Sequence, residues 1–156
     1  MRDSLARLQH LVYAVERESA YLLQTDASLF AQPFDAARAA GLPTQQALSE
    51  QVDAFAMRFG RLQDTLGDKL IPALLLREQE ALGSALDNLD RAERLGWLDS
   101  AEDWVDARRL RNGFVHEYVR DAAALAANLM QGHARVPMLT ACAERLVQHS
   151  RARGWV

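Results

Sequence analysis

Along the first 24 positions apolar residues fall at Leu5, Leu8, Val12, Val15 and Leu22, with Ser19 in the place between, and this alternation of three and four predicts one stripe on a long helix over 3–24. Asp3 or Ser4 can cap its start. Residues 25–43 break the pattern with Pro33, Gly41 and Pro43 and read as a long connection with room for one short helical piece. Thr44 then reads as an N-cap, and Val52, Phe55, Phe59, Leu62 and Leu66 restore the spacing. This second helix is expected to kink or stop near Gly67 and to restart before Pro72, because proline is tolerated without damage only in a first turn. The stretch 70–76 is apolar enough to be buried. Ser84 opens a shorter helix over 85–95 that Gly96 closes, and Ser100, with Glu102 and Asp103 in the first turn, opens a fourth helix expected to reach about Met130. A last helix is expected over 137–151, with Pro137 in its first turn.

These elements predict an all-α chain: an antiparallel four-helix bundle with an additional C-terminal helix, in one domain over 1–156. Eight Gly and four Pro are too few turn residues for a β-sandwich, and 49% hydrophobic against 25% charged residues suffices for a real core. The single cysteine, Cys142, excludes a disulfide framework and a Cys-based zinc site. With a charged N-terminus and no long apolar run, it leads to the expectation of a soluble cytoplasmic protein without a membrane partner. Charge adds an asymmetry. Residues 1–104 carry 10 Lys and Arg against 17 acids, whereas 105–156 carry 8 Arg against 4 acids, so an anionic ligand would belong with the C-terminal third unless the two parts simply attract each other.

The fourth predicted helix carries the chemistry. On a helical wheel Trp104, Arg111, Val115, Tyr118, Ala122, Leu125 and Leu129 share a stripe, and Asn112 and His116 are neighbours one turn apart on the line beside it. The apolar arc over 104–130 covers about half the circumference, more than one bundle core needs, which predicts a second copy packed against it. Gly113 in mid-helix costs about 1 kcal/mol relative to Ala, which suggests a close approach or a soft bend. Taken singly, His116, Tyr118 and Arg111 would more often be structural, but burying Arg111, Asn112 and His116 together is costly unless they satisfy one another or a ligand. An Arg offers bidentate contacts to phosphate and a His moves protons near neutral pH.

The string RNGFVHEY, residues 111–118, resembles the R-x4-H-x-Y motif of HEPN-domain ribonuclease toxins, the HepT-like group, including the Asn directly after the Arg. The segments FAMRFGRLQDTLGDKLIPALL (55–75) and LDRAERLGWLDSAEDW (89–104) are similar to that group's central helix and pre-motif segment, so the likeness covers about 45–130. The resemblance implies a metal-independent endoribonuclease whose pocket forms between the motif helices of two protomers. Arg111 would stabilise the transition state, His116 would be general acid or base for attack by the ribose 2′-hydroxyl, and Asn112 would orient His116 or the phosphate. It further implies a minimal nucleotidyltransferase (MNT-type) antitoxin as partner, with Tyr118 as the acceptor of AMP. On one ideal helix Arg111 and His116 point about 140° apart, so a bend at Gly113 or a symmetry mate must close the site.

Arg108 and Arg109, in the run RRLR, are candidates for contacting the RNA backbone, although a solvated face explains Arg109 about as well. His10, His116, His133 and His149 lack zinc-ligand spacing, and no nucleotide-cradling glycine loop occurs, so neither metal nor cofactor is expected. Trp97 and Trp104 read as core and Trp155 as a frayed end. The reading from a different class is a non-catalytic helical subunit that serves a nucleotidyltransferase as its substrate-binding partner, the motif being kept for binding alone.

Overall fold

A computed structural model of the chain describes residues 2–115 and 121–156. Among these the protein is all-helical, 83% helix with no strand. The elements are α1 (Arg2–Leu29), α2 (Ala36–Ala40), a 3₁₀ turn (Leu42–Thr44), α3 (Gln46–Asp64), a π-helical segment (Thr65–Leu70), α4 (Ile71–Arg77), α5 (Ala85–Arg94), α6 (Ala101–Val115) and α7 (Ala122–Ala152).

Four long helices, α1, α3, α6 and α7, form a ring in which each neighbour runs antiparallel to the next. Glu18, Thr25 and Ser28 of α1 meet Thr65, Arg58 and Gln51 in reverse order. Gln63 and Asp64 face Trp104 and Arg111 of α6, Asp103 of α6 meets Arg135 of α7, and Asp26 and Glu16 of α1 meet His133 and Arg151. The core they enclose includes Leu22, Phe55, Phe59, Leu62, Leu66, Leu74, Trp104, Leu139 and Leu146, all fully buried. The C-terminal helix is therefore a member of the bundle rather than an addition to it, and the extra elements are the short α2 and α5.

Several expectations meet the structure differently. α1 continues five residues past 24, because Thr25 and Leu29 extend its buried stripe. Thr44 does not cap α3. It closes the 3₁₀ turn, and Gln45 stands at the cap position without a side-chain hydrogen bond. The disturbance expected near Gly67 is the π-helical segment, which absorbs the misfit of Pro72 without ending the helix. Leu70, Ile71, Leu74 and Leu75 are buried as expected, but Leu76 is exposed. Ser84 caps α5 in a reciprocal capping box with Asp87, whose carboxyl is held below its usual range by the Ser84 backbone and hydroxyl hydrogen bonds. Trp97 and Trp104 are core. Trp155 is not frayed: its backbone N donates to Ser150, its carbonyl accepts from Gln9, and its ring lies beside the guanidinium of Arg77 at 4.8 Å.

The largest correction concerns the fourth predicted helix. Asp121 has extended backbone (φ −103°, ψ 107°) and its carboxylate accepts from the N–H groups of Ala123 and Ala124, so it is the N-cap of a new helix. Residues 122–130 consequently belong to α7 and run back along α6. Trp104, Arg111, Ala122, Leu125 and Leu129 do not share one stripe, and the half-circumference arc that predicted a second copy dissolves into two helices facing each other. Pro137 is likewise interior to α7, where the buried series Leu129, Gly132, Val136, Leu139, Ala143 and Leu146 passes through it and outweighs the roughly 3 kcal/mol that an interior proline costs. In that same stripe Cys142 is buried, and burial pushes its thiol up to about 12.

Candidate functional site

Arg111 leaves α6 toward α3 and reaches Asp64, with Nη2 donating to Oδ2 at 2.7 Å. One turn before Asp64 is the reason it fits. A Cβ at Gly60 would stand 2.9 Å from Arg111 Nε, so only glycine leaves the guanidinium its seat against α3. Two buried rings, Phe55 and Phe59, meet Phe114 edge-on at 6.0 and 5.6 Å, and Phe114 in turn covers Gly132 of α7, where a Cβ would come within 2.7 Å of its ring. The end of α6 is thus pinned from both sides. Gly113 is not the point of closest approach: a Cβ there would meet Asn128 at an ordinary 3.9 Å.

An open groove of about 530 Å³ lies along this seam, bordered by Asp53, Gly60, Arg61, Asp64, Lys69, Arg111 and Phe114. Arg111 is one-third exposed into it. Beneath the groove Thr65 donates from its hydroxyl to Glu18, whose carboxyl burial pushes above the usual carboxylate range against the opposing pull of that hydrogen bond and of the Arg61 and Lys69 charges. Gln63 donates to the Trp104 carbonyl at 3.2 Å and completes the α3–α6 contact.

Of the residues singled out in the sequence, the structure brings Arg111 to the groove and leaves Asn112 exposed on α6. His116 and Tyr118 lie outside the described residues, as does the angle between Arg111 and His116. Arg108 is tied to Asp68 at 2.8 Å, and Arg109, its side chain 78% exposed, faces Asp106 on its own helix at 3.5 Å. The C-terminal arginines as a group are engaged: Arg108, Arg111, Arg135, Arg145, Arg151 and Arg153 each pair with an acid from the first 104 residues. The charge asymmetry along the sequence is thus largely spent inside the fold. Sequence reasoning missed Gly60, Asp64, Arg61 and Lys69; Gly60 and Asp64 are one turn apart in GRLQD, a spacing whose meaning depends on what α6 sets against it.

Among the described residues no group of three or more His, Cys, Asp or Glu is placed to hold a metal. No helix among them is long and apolar enough to cross a membrane. No protein-family model, curated protein or solved structure matches this chain.

Proposed function

We propose that the protein is a metal-independent endoribonuclease of the HEPN, HepT-like kind, acting as the toxin of a pair with a nucleotidyltransferase antitoxin. The observation that carries this reading is the placement of Arg111, first residue of the RNGFVHEY string, at the wall of an open groove whose other cations are Arg61 and Lys69. Arg111 retains donors beyond the one engaged by Asp64, so its guanidinium is able to meet a phosphodiester without leaving its seat. His116, five residues on, is the proton-transfer group of the reading, Asn112 its orienting neighbour, and Tyr118 the AMP acceptor through which the partner silences the site. A homodimer rests on the resemblance and on the divergence of Arg111 and His116 on an ideal helix, now that the apolar arc is divided between α6 and α7.

The test is cleavage of RNA by the purified chain in EDTA, with the products examined for cyclic phosphate ends. Arg111→Ala and His116→Ala are each expected to lose about 100-fold to 10,000-fold in rate while retaining the helical spectrum of the parent. Cleavage that EDTA abolishes, or that His116→Ala retains, overturns the reading.

One observation favours the second reading, a non-catalytic binding subunit of a nucleotidyltransferase: Arg108 and Arg111 are both held by carboxylates of the preceding helical run. Co-purification with a nucleotidyltransferase, without RNA cleavage by the free chain, would establish it.

A further inference from the structure

Several cations make no ion pair with an acid among the described residues, Arg17, Arg38, Arg58 and Arg94 among them, and four others, none of them on the motif helix, border two grooves. Arg7, Arg61 and Lys69 are exposed and make no ion pair with a carboxylate among the described residues. Arg77 packs on Trp155 and its Nε has no hydrogen-bond partner. Two grooves collect these four. The first, along α3 and α6, holds Arg61 and Lys69. The second, about 510 Å³ between the start of α1 and α4, holds Arg7, Lys69 and Arg77. Lys69 borders both, so the grooves adjoin. The acids beside them are Asp53, Asp64, Asp68 and the half-buried Glu18; Asp64 and Asp68 are already bonded to Arg111 and Arg108, and Glu18, which feels the charges of Arg61 and Lys69, accepts from Thr65.

The π-helical segment is what aligns the track. Residues eight apart on an α-helix advance by about 12 Å and diverge by about 80° in azimuth. Taking up one extra residue in a turn, as a π segment does, cuts that divergence to about 20° and sets Arg61 and Lys69 along one line. From Lys69 the ordinary helix of α4 carries Arg77 another eight residues on and turns the line toward Arg7 on α1.

We infer that this track, Arg61 to Lys69 to Arg7 and Arg77, binds the phosphodiester backbone of single-stranded RNA and leads the strand to Arg111. The inference rests on the ribonuclease reading for its ligand, but it names a site apart from the motif helix and transfers RNA contact from Arg108 and Arg109 to the α3–α4 run. A row of unpaired cations along adjoining open grooves suits a flexible polyanion, since each contact releases a condensed counterion and no base-reading pocket is required.

The experiment is fluorescence anisotropy with a labelled mixed-sequence 12-nucleotide RNA in EDTA, across a salt series, with His116→Ala as the background that prevents cleavage; cleavage by the parent is measured in parallel. The Arg61→Ala/Lys69→Ala pair is expected to weaken binding roughly 10- to 30-fold at 0.1 M salt and to lower the salt slope by about 1.4. Arg7→Ala, at a side chain that makes no ion pair or hydrogen bond among the described residues, should lower the slope by about 0.7. Arg145→Ala removes the same charge from the Asp99 pair and should change neither. Unchanged slopes in both track variants, with the parent still cleaving RNA, overturn the track and leave the ribonuclease reading standing. Slopes that fall as expected in a chain that never cleaves RNA do the reverse, and a parent that neither binds nor cleaves RNA overturns both.

Discussion

The arginines of the C-terminal third and the cations of the α3–α4 run differ above all in what surrounds them. On α6 and α7 the antiparallel register sets arginine against acid: Arg111 on Asp64, Arg108 on Asp68, Arg135 on Asp103. Along the α3–α4 run the same ring leaves Arg61 and Lys69 bordering an open groove beside α6, with no ion pair to either among the described residues. Formal charge along the sequence ranks these regions the opposite way, because it counts acids that lie on the same segment rather than acids that face each cation in space. A basic segment is therefore a poor guide to an anion site in a helical bundle, where cross-helix pairing neutralises whatever the register aligns.

The largest effect on stability is expected at the far end of the paired set, where Glu78 accepts from His149 at 2.8 Å and from Arg153. Burial opposes ionisation of Glu78, but the hydrogen bonds from His149 and Arg153 outweigh it and hold its carboxyl below the usual range. A depressed carboxyl contributes stability that is present above the unfolded-state value of about 4.3 and lost as pH falls through the lower folded one. Glu78→Ala should cost about 1–3 kcal/mol at pH 7 in urea titration and flatten the pH dependence below about pH 4. A variant as stable as the parent would mean that these pairs are solvated bystanders.

Next comes Gly60→Ala, which forces Arg111 off its seat. Helix propensity repays about 1 kcal/mol, so the melting temperature should hold or rise while RNA cleavage falls about tenfold or more. Full activity would show that Arg111 acts without its contact to α3. Smaller is the effect of Asp64→Asn, which keeps the shape and removes one anion from the groove: RNA should bind about fivefold tighter at 0.1 M salt. Weaker binding would instead make Asp64 a positioning residue for Arg111. Smallest is Arg109→Ala, whose side chain is 78% exposed and paired only within its own helix. Stability should stay within about 0.5 kcal/mol in the same urea titration, and a larger loss would mean that Arg109 has a partner in solution that the fold does not show.

Helical periodicity made most of the secondary structure legible, since stripes such as Phe55, Phe59, Leu62 and Leu66 and punctuation such as Ser84 and Gly96 act within a few residues of themselves. The antiparallel placement of α6 and α7 stayed hidden because Ala122, Leu125 and Leu129 continue in sequence the phase of Trp104 and Arg111, so one apolar pattern serves one long helix or two facing ones equally well. The local signal was nevertheless present: Asp121 before an alanine run is a capping residue. At the groove, Arg111 was singled out by the string it opens. Its seat was not, because Gly60 and Asp64 acquire meaning only from the register that sets α6 against α3, a relation between residues 47 or more positions apart.

Cys142, deep in the α7 stripe with its thiol pushed up to about 12, gives the protein an internal clock. A thiolate is the species that alkylating reagents attack, and burial suppresses it while the α7 stripe stays packed. Its rate of modification by such a reagent therefore reports opening of the core around α7. The silence of that thiol in the folded chain also means that a cysteine introduced at Arg7 or Lys69 would take a fluorophore alone, so strand arrival on the outer face and opening of the core can be followed in one molecule by two reagents.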